Sequence, residues 1–149
     1  MDDRDSGASP GGSASQPYRL VLADDHEGIL QAVQGLLSSD FEVIRAVKDG
    51  AALIEAVEEL RPDAVICDIY MPGKNGIECG AYILRNGLSR AVVILSMYNE
   101  PHLVSKARQE GIQGYVLKED ASSELVPAVY AVLAGKKYVS RGVMKKGID

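Results

Sequence analysis

Five short apolar runs recur along the chain between residues 18 and 118. They are YRLVLA (18–23), FEVIRAV (41–47), DAVICD (63–68), AVVILS (91–96) and GYVLK (114–118). Three of them are almost wholly apolar rather than alternating, which is typical of strands buried on both faces of a parallel sheet. The pattern therefore predicts five β-strands.

The segments between these runs have the apolar period of a helix. After the first run, five apolar residues share one helix face: Ile29, Leu30, Val33, Leu36 and Leu37. Similar faces follow the second, fourth and fifth runs, and a less regular one lies near residues 77–84. One helix in each connection is the rhythm of a parallel sheet with helices on both faces. The pattern predicts a doubly wound, five-stranded α/β domain.

Composition limits the class of protein. The 149 residues are 46% hydrophobic and 25% charged, as in an ordinary globular domain, and the net charge of -5 argues against a general nucleic-acid binder. Residues 1–17 lack aromatic and β-branched residues, which predicts a disordered tail. No apolar stretch is long enough for a membrane span and no secretory signal opens the chain, so the expected location is the cytoplasm. Cys67 and Cys79 are interpreted as reduced, small apolar residues.

Polar side chains stand where four of the predicted strands end. Asp24 and Asp25 follow the first strand, Asp68 ends the third, Ser96 ends the fourth and Lys118 ends the fifth. In doubly wound sheets, ligands bind beyond the carboxyl ends of the strands. We therefore expect three acids, a hydroxyl and an amine to meet at one rim of the sheet.

Three carboxylates at one rim predict a divalent cation, because their repulsion would otherwise raise their pKa values. Mg²⁺ prefers oxygen ligands, and Asp25 and Asp68 are candidates for direct ligation, with Asp24 holding a metal-bound water. Ser96 and Lys118 add a hydrogen-bond donor and a positive charge, which together suit a phosphoryl group. An aspartate can accept that group as an acyl phosphate, and Asp68 is the central residue of the set.

Each of these residues also has an ordinary structural interpretation. An acid pair before a helix is more often an N-cap with a first-turn acid, a strand-end lysine is usually solvated, and a serine there usually forms a turn. Because four strand ends carry groups with complementary chemistry, a binding site is favoured over these structural interpretations. His26 is interpreted as a polar residue that opens the first helix, because imidazole suits Mg²⁺ poorly.

The segments that carry this chemistry resemble a known family. They are ADDHE (23–27), DIYMPGKNG (68–76), ILS (94–96) and GYVLKEDASSEL (114–125). Over about residues 18–140 the chain resembles the receiver domains of bacterial two-component response regulators, most closely the NarL/FixJ (LuxR-type) subfamily. The resemblance implies a flavodoxin-like (βα)5 fold with strand order 2-1-3-4-5. It also implies a phosphoacceptor switch with intrinsic autophosphatase chemistry rather than an enzyme.

The resemblance implies particular partners for the acids of the rim. Asp68 would be phosphorylated by a sensor histidine kinase. Mg²⁺ would be bound by Asp24, Asp25 and Asp68, with the backbone carbonyl of Tyr70 as a further ligand. The acids would thus divide into one phosphoacceptor and a supporting metal site.

The resemblance also assigns the residues that would respond to phosphate. Ser96 and Lys118 would contact the phosphoryl oxygens, and Tyr115 falls at an aromatic switch position whose ring changes rotamer when Ser96 moves. An ordinary buried strand tyrosine is the alternative for Tyr115. Met97, with Tyr70 and Tyr98, is predicted to narrow the approach of water to the acyl phosphate and so slow its hydrolysis.

The resembling regulators continue from the receiver into a linker and a helix-turn-helix DNA-binding domain. We therefore predict a receiver domain over 18–138 and the start of a linker over 139–149, with the DNA-binding domain absent from this chain. Contact with DNA is expected only through that absent domain. A homodimer is expected on phosphorylation, and no contact with a membrane is expected.

Other functions are compatible with parts of the pattern. The chain could be a standalone receiver, or a pseudo-receiver that binds partners without being phosphorylated. A phosphatase with an aspartate nucleophile generally needs an acid two residues later, whereas Tyr70 stands there after Asp68. A flavodoxin-like cofactor binder is disfavoured because no phosphate-binding loop follows the first strand.

Overall fold

A computed structural model describes residues 16–144 of the chain, in which strands and helices alternate. The strands are β1 Arg19–Ala23, β2 Glu42–Val47, β3 Ala64–Cys67, β4 Ala91–Ser96, β5 Gly114–Leu117 and β6 Tyr138–Val139. The helices are α1 Glu27–Leu37, α2 Gly50–Leu60, α3 Gly76–Arg85, α4 Pro101–Gln109, α5 Ala121–Leu133 and α6 Arg141–Met144. Most of the predicted tail, residues 1–15, lies outside the described residues.

The described strands form one parallel sheet in the order β2-β1-β3-β4-β5-β6. The parallel α/β architecture is confirmed, but the predicted number of five strands is wrong, because β6 adds a sixth strand beside β5. This strand has two residues, too few to produce an apolar run in the sequence. It pairs with the edge of β5, where the N–H of Ser140 donates to the carbonyl of Tyr115 at 2.9 Å. Strand β6 thus lies at the predicted boundary, with Tyr138 the last residue of the predicted receiver and Val139 the first of the predicted linker.

Two apolar layers cover the two faces of the sheet. Leu20 and Leu22 of β1 pack with residues of α1 and α5. Val21 and Ala23, which alternate with them, pack on the opposite face with residues of α2, α3 and α4. All four are at most 3% exposed, so β1 is buried on both sides, as its apolar run predicts.

Local hydrogen bonds fix where two of the helices begin. The side chain of Asp49 accepts from the N–H of Ala52 at the start of α2. Asn75 and Glu78 form a reciprocal capping box at the start of α3, directly beyond the loop that follows β3. Among the described helices, none is both long and apolar enough to cross a bilayer.

Both cysteines are buried and free of disulfide bonds, in agreement with their interpretation as small apolar residues. Burial raises the pKa of the Cys67 thiol and raises that of Cys79 to about 11. Thiols in this state are poor nucleophiles at neutral pH, so they contribute packing rather than chemistry.

Candidate functional site

The sheet brings the predicted polar residues together at one edge. Strands β1, β3, β4 and β5 are parallel neighbours, so their carboxyl ends lie side by side. Asp24 follows β1, Asp68 follows β3, Ser96 ends β4 and Lys118 follows β5. Asp24, Asp68 and Ser96 are only 4%, 6% and 0% exposed. Buried polar groups of this kind need partners, and the contacts among them define the site.

The ammonium group of Lys118 joins two of the acids. Its Nζ lies 2.8 Å from Oδ2 of Asp24 and 3.0 Å from Oδ2 of Asp68. The lysine side chain is 14% exposed and the two aspartates less, so these ion pairs are shielded from solvent. Removing such groups from water is costly unless they contact one another. Lys118 therefore neutralises part of the charge that the sequence places at this rim.

Burial and charge act in opposite directions on the pKa values of this pair. Burial raises the pKa of Asp68, while Lys118 lowers it by hydrogen bonding and by charge, and the net shift is upward. Burial lowers the pKa of Lys118, but its hydrogen bonds to Asp24 and Asp68 outweigh that effect, so the net shift is again upward. The site holds a charged amine against a carboxylate that is more basic than an exposed aspartate.

Asp68 is fixed by backbone contacts on both sides of the residue. The N–H of Ile69 donates to Oδ1 of Asp68 at 2.7 Å, and the N–H of Asp68 donates to the carbonyl of Ala23 at 3.0 Å. Gly76, the first residue of α3, packs so closely that a Cβ there would lie 1.9 Å from the carbonyl oxygen of Asp68. Sequence reasoning missed this role of Gly76, although a glycine closing the motif that Asp68 opens was an available signal of close backbone approach.

Asp25 has different surroundings from Asp24. Its side chain is 36% exposed, and its Oδ1 lies 3.1 Å from Nδ1 of His26. The same ring nitrogen lies 3.3 Å from Oδ1 of Asp24, and the backbone N–H of His26 donates to that oxygen at 2.9 Å. His26 is the N-cap of α1 but makes no side-chain cap. The histidine opens the first helix as predicted, whereas its contacts with both acids were not predicted.

Ser96 and Tyr115 contact the same residue of the loop after β4. The hydroxyl of Ser96 accepts from the N–H of Tyr98 at 3.0 Å, and the hydroxyl of Tyr115 donates to the carbonyl of Tyr98 at 2.7 Å. Tyr115 is 3% exposed, and burial is the main reason that its pKa rises to about 12. The two residues predicted to form a switch are therefore connected through one short backbone segment.

Three large side chains are exposed on the loops that follow β3 and β4. Tyr70, Met97 and Tyr98 are 51%, 66% and 38% exposed. The rings of Tyr70 and Tyr98 pack edge to face with their centroids 5.0 Å apart. Asp68 begins the loop that carries Tyr70, and Ser96 ends the strand before the loop that carries Tyr98, so the aromatic pair stands at the same edge of the sheet as the acids.

The donor set of the rim fits a hard divalent cation. Asp24, Asp25 and Asp68 offer carboxylate oxygens, the ligands that Mg²⁺ prefers, and the first two belong to a cluster with His26 whose ligand atoms lie within 4.8 Å of one another. Asp24 and Asp68 already share one positive charge, that of Lys118. A bound Mg²⁺ supplies neutralisation of the negative charge on phosphoryl oxygens.

Comparison with known proteins agrees with this geometry. The family model of the response regulator receiver domain matches residues 20–130. The chain belongs to this family. Among curated relatives, the probable transcriptional regulatory protein NarL of Mycobacterium tuberculosis (strain CDC 1551 / Oshkosh) is 33% identical over 129 residues. That match takes in 84% of this chain but only 59% of the relative, so the receiver spans little more than half of the protein it resembles.

Solved structures support the same assignment. A two-component response regulator of the LuxR family from Aurantimonas sp. SI85-9A1 matches 87% of this receiver and 94% of its own chain, with a TM-score of 0.81 and 28% identity. The RcsB response regulator of Salmonella typhimurium, from a study of its DNA interaction, matches 88% of this receiver and 67% of its own chain, with a TM-score of 0.80 and 29% identity. The predicted NarL/FixJ (LuxR-type) relationship is confirmed.

Proposed function

We propose that this receiver accepts a phosphoryl group on Asp68 from a sensor histidine kinase, in a reaction that depends on Mg²⁺. The observation that carries the proposal is the contact of Lys118 with both Asp68 and Asp24 at the buried rim of the sheet. The contact places a positive charge beside the oxygen of Asp68, where it can stabilise the negative charge of a transferred phosphoryl group.

The proposed step is a direct displacement at phosphorus. An oxygen of Asp68 forms a bond to phosphorus while the bond between phosphorus and the kinase histidine nitrogen breaks. The electron pair of the broken bond stays on the histidine nitrogen, and because Asp68 attacks as its carboxylate, no proton has to leave it. Since Oδ1 of Asp68 already accepts from Ile69 and Oδ2 contacts Lys118, the carboxylate is held in one orientation before the donor arrives.

We assign the surrounding residues as follows. Asp24, Asp25, Asp68 and the backbone carbonyl of Tyr70 would hold Mg²⁺; the acidity of the first three, and the burial of Asp24 and Asp68, support this. Ser96 and Lys118 would contact the phosphoryl oxygens. Tyr115 would change its position with Ser96, since both hydrogen-bond to Tyr98.

We further propose that phosphorylation controls a helix-turn-helix transcription output carried by the whole protein outside these residues. The relatives named as transcriptional regulators support this, since the receiver matches only 59% of the first of them. Phosphorylation would favour a homodimer, and DNA would be bound only by the output domain. We place the protein in the cytoplasm, as the sequence predicts.

The proposal is tested by incubating the chain with Mg²⁺ and acetyl phosphate and measuring its intact mass. The wild type should gain one phosphate that survives acid and is lost in base, and Asp68→Asn should gain none. Asp40→Asn is a matched control, because Asp40 is an exposed aspartate that accepts a hydrogen bond from Tyr130 on another part of the surface. It should be labelled like the wild type.

Removal of Mg²⁺ with a chelator should abolish the labelling. If the wild type gains no phosphate, the chain is a pseudo-receiver that acts as a protein-binding module, and the phosphoacceptor proposal is wrong. If Asp68→Asn is labelled as strongly as the wild type, the phosphate resides on another residue and the assignment of Asp68 is wrong.

A further inference from the structure

The last described residues of the chain are docked against β5. Strand β6 pairs with β5, and Ser140 and Val143 beside it are both 0% exposed. The hydroxyl of Ser140 accepts from the N–H of Leu117 at 3.1 Å. Val143 belongs to the same apolar cluster as Tyr115 and Leu117. We name residues 138–144 the docked segment.

A buried acid of α5 holds the other side of the docked segment. Glu124 is 5% exposed and accepts from the hydroxyl of Tyr138 at 2.8 Å and from the N–H of Arg141 at 3.1 Å. Gly142 lies so close to β5 and the turn after it that a Cβ there would approach Leu117 Cδ1 to 2.6 Å and Asp120 Oδ2 to 2.8 Å. The segment therefore fits one specific place, and its docking depends on close approach.

One side-chain contact links the docked segment to the loop after β4. The side-chain N–H of Asn99 donates to the carbonyl of Gly142 at 3.0 Å. The residue before it, Tyr98, hydrogen-bonds to both Ser96 and Tyr115. The side-chain oxygen of Asn99 is buried and has no hydrogen-bond partner among the described residues, so the described hydrogen bond of this amide is the one to Gly142.

We propose that Asn99 couples the state of Asp68 to the docked segment. This inference rests on the proposed function, in which the hydroxyl of Ser96 turns toward the phosphoryl group. That turn breaks its bond with the N–H of Tyr98, the loop shifts, and Asn99 releases the carbonyl of Gly142. Phosphorylation thereby loosens the segment through which the chain leaves the domain, and Asn99 is a positioning residue in this process.

Hydrogen exchange at backbone amides of the docked segment measures this coupling. The reporters are the N–H groups of Ser140, Gly142 and Val143, which donate to Tyr115, Asp120 and Ser140. In the unphosphorylated chain, Asn99→Ala should speed exchange at Gly142 and Val143 by about fivefold, the equivalent of about 1 kcal/mol for one hydrogen bond. Mg²⁺ with beryllofluoride, a mimic of the phosphoryl group, should speed it in the wild type by at least as much.

Two further variants serve as a positive and a negative control for the exchange measurement. Gly142→Ala should speed exchange in the docked segment directly, because its Cβ would lie 2.6 Å from Leu117 Cδ1 and 2.8 Å from Asp120 Oδ2 and so push these side chains and the segment apart. Asn86→Ala is the matched control, since Asn86 also donates to a carbonyl, that of Tyr82 at 2.8 Å, at the far end of α3. Asn86→Ala should leave the exchange rates of the reporter amides unchanged. Asn99→Ala should still gain phosphate like the wild type.

The outcomes separate the coupling from the proposed function. Unchanged exchange at Gly142 and Val143 in Asn99→Ala overturns the coupling. A wild type that gains phosphate but keeps the docked segment protected also overturns the coupling and leaves the phosphoacceptor function standing. A wild type that gains no phosphate overturns the proposed function, and the coupling fails with it.

Discussion

Gly76→Ala is expected to destabilise the domain strongly, although it adds only one methyl group. The new Cβ would lie 1.9 Å from the carbonyl oxygen of Asp68 and 2.8 Å from its carbonyl carbon, whereas ordinary contacts begin near 3.4 Å. The start of α3 and the loop after β3 must therefore separate by about 1.5 Å, since backbone atoms cannot rotate away. That movement also stretches the bond from the N–H of Gly76 to the carbonyl of Ile69, now 2.7 Å.

We expect Gly76→Ala to lower the free energy of unfolding by roughly 2–4 kcal/mol, as the sum of overpacking and a weakened hydrogen bond. Gly35→Ala is the matched control, because Gly35 lies in α1 and its Cβ would meet nothing within 4 Å. Alanine is the better helix former, so this change should raise the free energy of unfolding by about 0.5–1 kcal/mol.

Urea unfolding followed by circular dichroism measures both changes as shifts of the midpoint at constant slope. Because Gly76→Ala displaces the backbone of Asp68, it should also slow phosphate labelling, whereas Gly35→Ala should not. The reasoning is refuted if Gly76→Ala shifts the free energy of unfolding by less than about 0.5 kcal/mol. It is equally refuted if the two alanines have effects of the same sign and size.

Three further changes test other parts of the site. Lys118→Met leaves Asp24 and Asp68 buried without their cation and should lower the free energy of unfolding by roughly 3 kcal/mol. In urea unfolding, Mg²⁺ should stabilise this variant more than it stabilises the wild type. The pKa of Tyr115 is raised from 10.0 to about 12, so between those pH values the unfolded chain loses a proton that the folded chain keeps, and stability falls. Tyr115→Phe should flatten that fall in urea midpoints measured across the range. Met97→Ala should lose its phosphoryl group faster than the wild type in an intact-mass time course; equal or slower loss contradicts the predicted shielding.

The strands and the positions of the rim residues could be predicted from the sequence because burial leaves a strong local pattern. Strand β3, with all four residues buried, reads as an unbroken apolar run. Strand β6 leaves no such pattern, because Tyr138 and Val139 are only partly buried and are held by hydrogen bonds to β5 and Glu124. A two-residue edge strand is held by tertiary contacts, which leave no periodic pattern of apolar residues in the local sequence.

The contacts within the site were harder to predict than its members. The sequence identifies Asp24, Asp68 and Lys118 as strand-end residues, but Lys118 is 50 residues from Asp68, and nothing local indicates that it contacts both acids. The close approach of Gly76 to Asp68 and the contact of Asn99 with Gly142 also depend on distances between separate elements. Such distances follow from how the elements pack, which periodicity alone does not encode.

The charge balance of the rim supports the proposed metal ion even though Lys118 already contacts two of the acids. With Asp24, Asp25 and Asp68 ionised and Lys118 protonated, the four groups retain two negative charges, and His26 contacts the side where Asp25 is partly exposed. A phosphoryl group replaces one carboxylate charge with about two, so phosphorylation makes the balance more negative. A divalent cation at these acids and a phosphoryl group on Asp68 must therefore favour each other's binding, by the reciprocity of linked equilibria. In the proposed function, the adjacent acids, unfavourable by themselves at the end of a buried strand, would make phosphorylation of this receiver depend on Mg²⁺.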